Sequence, residues 1–332
     1  MVSTWPLERR AAQLIVVPAD ERGVATALPA VRDGVGGVIL FGPAAPVGLG
    51  QQLAALKAQA PGGIAPFVMT DEEGGGVQRL SNLVGDISWP RAMAASLSTD
   101  AVRQLGDVTG RKLVSNGVDM DLAPVLDLDS GPGPDANHTD GPRSFSSDPN
   151  VAAAYGIGFA QGLMAGGALP VVKHFPGEGQ ATANSDYKAA STPPLPALKS
   201  AALVPFERAV QASLPAVMVG NAAVPGLSAG PASLSPAAIG NLLRGQLGFR
   251  GLVLTDSLSA TSIRASGLDV PHAAVQAVAA GADMILYDLS STTDPAAIGS
   301  QLVAAVGSGA LPESRLNDAV THVLAAKKVN LC

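Results

Sequence analysis

Cysteine is all but missing: the single one, Cys332, ends the chain, so no disulfide can close within it. Charge is scarce as well. Charged residues make up 14% of the chain, against about 25% in an average soluble protein, and 47% of residues are apolar. Disordered chains and solvated coiled coils are thereby excluded. There is no basic surplus; a net charge of −6 and a pI near 5.2 offer no grip on nucleic acid or an anionic membrane surface. The four histidines (138, 174, 272 and 322) show no metal-ligand spacing, and Gly74-Gly75-Gly76 lacks the spacing and lysine of a phosphate-binding loop. No metal and no cofactor are expected.

Long uninterrupted hydrophobic runs are absent too, although the mean hydropathy is +0.28. Val151 to Val172 carries no charge and is long enough to span a bilayer. Yet it holds Gly156, Gly158, Gly162, the pair Gly166-Gly167 and Pro170, which read as a helix, a break and a buried strand rather than a membrane span. No apolar stretch precedes Glu8, so no secretory signal is expected within this chain.

What is present is a repeating set of short apolar runs rich in β-branched residues: 13–17, 37–41, 66–70, 118–124, 169–173, 216–220, 252–256 and 283–287. They do not alternate apolar with polar, the pattern of parallel strands covered on both faces. Helical segments with ordinary start and stop signals lie between most of them. Ser98-Thr99-Asp100 opens one closing at Asn116-Gly117, Asp148-Pro149 one closing at Gly166-Gly167, and Ser235-Pro236 one closing near Gly248. Pro271-His272 leads a helix to Gly281, and a last helix runs from Pro312 to about Val329. Eight strands, with a helix after the last, predict an α/β fold: a (β/α)8 TIM-type barrel forming one domain over residues 1–332, with an open doubly wound sheet as the alternative.

A barrel places its chemistry where strands end. Polar residues collect there: Asp71-Glu72-Glu73 after the third run, Asp127 and, on a long loop, Arg143 after the fourth, Lys173-His174 at the end of the fifth, Asn221 after the sixth and Asp256 ending the seventh. A single strand-end Asp often caps the next helix or turn; so many in a chain poor in charge indicate a site. Lys173 by itself also permits a structural pairing with Asp127 or Asp71, or an aldolase-type Schiff base.

Three segments resemble one family. Lys173-His174-Phe175-Pro176-Gly177-Glu178-Gly179 is similar to the Lys-His-Phe-Pro-Gly-His-Gly signature of glycoside hydrolase family 3, in its single-domain β-N-acetylglucosaminidase branch. Asp71-Glu72-Glu73-Gly74-Gly75 resembles that branch's Asp-(Gln/Glu)-Glu-Gly-Gly, and the segment from Phe249 to Leu258 its nucleophile strand. The resemblance implies a retaining hydrolase of β-linked N-acetylglucosamine in peptidoglycan-type fragments, with Asp256 as nucleophile. It further implies that Asp71, Arg143, Lys173 and His174 bind the sugar, Lys173, Arg143 and His174 as donors, and that Arg79 shapes the same wall.

The chain departs from the family where the proton is handled. An Asp-Ser-His segment supplies the family's His acid/base; here the aligned residues are Asn184-Ser185-Asp186. Glu178 replaces the signature's second His, Gly76 an Arg, and Ser257 a second Asp after the nucleophile. Asp186 is expected to carry the proton, with Glu178 as the other candidate. The alternative is a catalytically weak or silent sugar-binding barrel. A carbohydrate partner, a monomer and an extracytoplasmic or envelope location rather than a cytoplasmic one complete the expectations.

Overall fold

The computed structural model describes residues 2–330, so Cys332 lies outside the described residues. Eight parallel strands close into a barrel: β1 (Ile15–Asp20), β2 (Gly37–Phe41), β3 (Phe67–Thr70), β4 (Met120–Asp121), β5 (Leu169–Phe175), β6 (Ala216–Val219), β7 (Leu252–Ser257) and β8 (Met284–Leu286). Each strand pairs with its neighbours in sequence, and β8 closes on β1 through Ile15↔Ile285 and Val16↔Leu286. This is the single-domain (β/α)8 barrel that the spacing predicts, and the closed ring excludes the open sheet. No helix among the described residues is long and apolar enough to cross a membrane.

Two strands differ most from their predicted extents. β1 runs on to Asp20 through Pro18, a residue with no N–H, because its ladder to β8 has already ended at Val16 and only β2 remains paired there. β4 shrinks to Met120–Asp121, since Pro124 cannot donate to the ladder; pairing with β5 resumes at Val125 opposite Lys173.

The barrel interior is filled by Val16, Ile39, Met69, Met120, Val171, Met218, Leu254 and Met284, and Val323 of the last helix closes its lower end. Outside the strands a second core packs the helices. Ser98 caps the helix Thr99–Ser115 by accepting from the Ala101 N–H, and Asp148 caps Pro149–Ala165 through the N–H groups of Asn150 and Val151. The charge-free stretch thus folds as a helix, a glycine turn and buried β5. Its glycines have a packing reason: a Cβ on Gly162 would sit 2.1 Å from the Arg103 carbonyl oxygen of the facing helix.

Candidate active site

At the carboxyl end of the barrel lies a cavity of about 290 Å³, near the lower end of the range for small-molecule sites. Asp71, Arg79, Arg143, Lys173, His174, Glu178, Asp186 and Asp256, contributed by the ends of β3, β5 and β7 and the loops after β3, β4 and β5, all line it. Further charged or polar side chains that were assigned no role in the site from the sequence join them, among them Glu73, Asn184, Tyr187 and Asp288.

The floor is an ion-pair network. Lys173 Nζ lies 2.7 Å from Asp71 Oδ1 and 2.6 Å from Glu73 Oε1. Arg143 donates to both oxygens of Glu73, from Nε and Nη2, each at 2.8 Å. Burial opposes the charge on Glu73, but the two cations outweigh it and hold its carboxyl far below the usual range. The same pairing keeps Lys173 protonated: burial disfavours its charge, and Asp71 and Glu73 reverse that. Lys173 is therefore an ion-pair partner of Asp71 and Glu73, not of Asp127, and it has none of the depressed basicity of a Schiff-base lysine.

Asp71, Glu72 and Glu73 divide their work. Asp71 and Glu73 face the cavity, whereas Glu72 turns aside and accepts from the N–H groups of Arg79 and Leu80 and from Gln78. It thereby fixes the small hairpin Glu72–Gly74/Val77–Gln78 that carries Arg79. Gly75 turns that hairpin at φ +58, where a Cβ would collide with the Trp89 ring. The Arg79 guanidinium lies 5.8 Å from the Phe41 ring centroid.

Neighbours along a strand point to opposite faces, yet Lys173 and His174 both line the cavity. The register of β5 against β6 shifts between Val172 and Phe175, and the Lys173–His174 peptide is cis. His174 is tied down from below: its Nδ1 lies 2.7 Å from Asp127 Oδ2, which also accepts the His174 backbone N–H at 3.0 Å. Asp127 Oδ1 accepts from the Glu178 N–H at 2.7 Å. Burial, followed by the nearby Arg143 cation, lowers the His174 pKa, so the ring is neutral. Its Nδ1 is then the protonated nitrogen, because a carboxylate faces it.

Asp256, partly buried at the end of β7, accepts the Ser257 N–H at 2.7 Å. Burial, then the charge of Asp186, raises its pKa. Asp186 projects from the loop after β5, at the exposed rim. Its pKa is also raised, by loss of solvation first; Arg143 pulls it down, and Asp288 and Asp71 push it up. Asn184, where the family carries Asp, accepts the backbone N–H of Asp186 at 3.0 Å and so shapes the loop rather than the side chain. The Asp186 and Ser185 carbonyls accept from the N–H groups of Thr261 and Ser262, which dock this loop onto the segment after β7. Ser257 leads elsewhere: its hydroxyl donates to Asp288 Oδ2 at 3.1 Å and meets Ser259 Oγ at 2.8 Å. Burial opposes ionisation of Asp288, but donation from Ser290, Ser259 and Ser257 prevails and lowers its pKa.

Glu178 occupies a different position. It is buried beneath the cavity, its Oε1 accepts the Ala222 N–H at 2.6 Å, and burial followed by the charge of Asp256 raises its pKa strongly. Gly220 makes room for it, since a Cβ there would fall 2.1 Å from that oxygen. Asn221 is structural, accepting from the Ser233 hydroxyl and donating to the Ser257 carbonyl. Asp127, Asp140 and His174 bring potential ligand atoms within 4.8 Å of one another. The His174–Asp127 hydrogen bond and the neighbouring Arg143 cation already occupy that space, so the triad reads as a protonic cluster and not as a metal centre.

Comparison with known proteins agrees with this architecture. A family model described as the glycosyl hydrolase family 3 N-terminal domain matches residues 6–326. Beta-hexosaminidase LpqI of Mycobacterium tuberculosis is 38% identical over 279 residues, which span 82% of this chain and 70% of the relative. A beta-hexosaminidase of Stenotrophomonas maltophilia is 31% identical over 316 residues, 88% of this chain and 92% of the relative. Among solved structures, a glycosyl hydrolase of the same family from Mycobacterium smegmatis superposes with a TM-score of 0.88 at 34% identity, covering 98% of each chain. With the family model matched across nearly the whole barrel and relatives this similar over most of their length, the chain belongs to glycosyl hydrolase family 3.

Proposed function

We propose that the protein is a retaining glycoside hydrolase acting on β-linked N-acetylglucosamine, with Asp256 as nucleophile and Asp186 as acid/base. The observation that carries this reading is that both carboxyl groups line one cavity and form no ion pair among the described residues, and that the charge of Asp186 raises the pKa of Asp256. Relatives named beta-hexosaminidase support the substrate class. Peptidoglycan fragments at the cell envelope are the natural form of that substrate.

Chemistry then proceeds in two displacements. Asp256, ionised, attacks the anomeric carbon while Asp186 gives its proton to the departing oxygen. A glycosyl ester on Asp256 results. Asp186, now a carboxylate, takes a proton from water, which opens the ester and returns a β-configured sugar. Lys173, Arg143 and Asp71 hold glycone hydroxyls as a preorganised polar floor. With Nδ1–H committed to Asp127 and the ring neutral, His174 is not the donor that the resemblance implied: it offers the sugar a lone pair on Nε2 and accepts from a hydroxyl. Glu178, engaged with the Ala222 N–H, stays neutral and supports the floor. An Asp in the acid/base role, unlike the family's His, makes turnover sensitive to the leaving group.

The direct test is proton NMR of an aryl β-N-acetylglucosaminide during hydrolysis, together with trapping of the glycosyl ester on Asp256 by a 2-fluoro sugar. Release of the β-anomer and a label on Asp256 are expected. Absence of turnover of any aryl glycoside between pH 4 and 8, with sugar binding retained in calorimetry, would overturn the hydrolase in favour of a silent binding barrel.

A further inference from the structure

Beneath His174 lies a carboxyl group for which the proposed reaction has no use. Asp140 is fully buried, just before the turn Gly141–Arg143 that carries Arg143 into the cavity. Neither of its oxygens meets a hydrogen-bond donor among the described residues. Arg143 Nη1 comes no closer than 3.4 Å, and that guanidinium makes its short contacts elsewhere, to Glu73 at 2.8 Å and to the Thr139 carbonyl at 3.1 Å. A carboxylate left ionised in a protein interior without a donor is costly. A neutral carboxyl instead has an O–H to place, and Asp127 is the acceptor within reach, with its polar atoms inside the same 4.8 Å cluster as those of Asp140 and His174. Asp127 already receives three N–H groups, from the His174 backbone, the His174 ring and the Glu178 backbone, and an ionised carboxylate has room for a fourth donor.

We propose that Asp140 is a positioning residue, a neutral carboxylic acid whose O–H donates to Asp127, which in turn holds the Nδ1–H of His174 and keeps its Nε2 lone pair turned toward the sugar. The charged groups facing Asp140 agree with this. Burial and the negative charge of Asp127 raise its pKa to about 8 against the opposing pull of Arg143, with Glu73 adding to the rise. Asp127, buried but supplied with N–H donors, is raised only to about 6. Two carboxyls this close share one proton at neutral pH, and it resides mainly on Asp140. The protonation rests on this chain's own geometry; its effect on turnover rests on the reading of His174 as a glycone ligand.

The test compares Asp140→Asn, whose amide can make the same donation, with Asp140→Ala, which cannot. In histidine-labelled protein at pH 7, nitrogen NMR is expected to show His174 protonated on Nδ1 and bare on Nε2 in the parent and the Asn variant, and a mixed tautomer in the Ala variant. An infrared difference spectrum, parent minus Asn variant, is expected to contain a protonated carboxylic acid band. For an aryl β-N-acetylglucosaminide, kcat/KM stays within about threefold in the Asn variant and falls about tenfold in the Ala variant, the loss of one buried hydrogen bond. An Asn variant as impaired as the Ala variant, or no carboxylic acid band, would overturn the proposal by making Asp140 an ionised partner of Arg143. So would a stoichiometric cation in the purified protein whose removal changes the His174 signals. If the Ala variant does not fold, or the protein turns over no glycoside, the infrared band and the His174 signals in the Asn variant still decide.

Discussion

Arg143 grips Glu73 with two parallel N–H···O bonds of 2.8 Å, although the residues stand on different loops and are 70 positions apart. The pair is buried and shares Lys173, so removing the single anion leaves two cations partly uncompensated. Glu73→Gln is expected to lower unfolding free energy by about 3 kcal/mol, the cost of breaking a buried pair, in urea denaturation at pH 7. The same carboxyl sets an acid limit. Its folded-state pKa is depressed, so its stabilisation is complete above the unfolded value of 4.5 and is lost as pH falls below it. The gap between parent and Glu73→Gln stability should narrow from pH 5 downward.

Asp256→Asn should reduce kcat for every substrate, good leaving group or poor, by at least about 10³-fold, because no covalent ester can form. Burst kinetics with an activated aryl glycoside and circular dichroism on the same sample check this. A variant that keeps turning over at a tenth of the parental rate removes Asp256 from the nucleophile's role.

Asp186→Ala should spare kcat/KM for substrates whose leaving group needs no protonation but lower their kcat, which azide restores through a β-glycosyl azide, and impair alkyl glycosides by about 10²-fold or more. Glu178→Gln retains an acceptor for the Ala222 N–H and should leave this leaving-group dependence unaltered. The opposite result, leaving-group dependence in Glu178→Gln alone, transfers the proton to Glu178.

Much of this was legible in the chain before folding was considered. Apolar runs without alternation identified all eight strands, because parallel strands covered on both faces need no polar side, and ionisable strand ends marked the mouth of the barrel. The residues that escaped did so for identifiable reasons. Asp288 lies beyond the eighth run with no motif around it, and its place in the site depends on the hydroxyls of Ser257, Ser259 and Ser290. Glu73 was visible within its motif, but nothing in Asp71-Glu72-Glu73 tells which side chain turns aside to hold the hairpin. The register shift that brings both Lys173 and His174 to one face leaves no trace in hydropathy. Asp140 hides in a polar loop, where burial cannot be read from neighbours.

Asp288 is held ionised by its serine donors, and its charge raises the pKa of Asp186. Asp288→Asn removes that negative charge, so the Asp186 pKa falls and the basic limb of the kcat/KM profile moves to lower pH. The acidic limb, set by ionisation of Asp256, should move less. A basic limb that stays in place assigns it to another group.

At the opposite end of the barrel, Lys327 reaches Gln13 Oε1 at 3.1 Å and lies 5.5 Å from the Phe67 ring centroid. Burial lowers its pKa to about 7. Between that value and the unfolded 10.5 the unfolded chain binds the extra proton, so stability rises with pH across this window. The gain cannot exceed 1.36 kcal/mol per pH unit. Thermal unfolding from pH 7 to 9 should show this slope in the parent and a shallower one in Lys327→Met.

The docking of Ser185 and Asp186 onto Thr261 and Ser262 has a consequence for engineering and for evolution alike. The peptide that presents Asp186 is stitched to the stretch that follows Asp256, two barrel units further along, so neither can be exchanged alone. A graft of the loop around residues 184–186 from a relative must bring that relative's counterpart of residues 257–262 with it, or the imported side chain will hang from a scaffold cut for another.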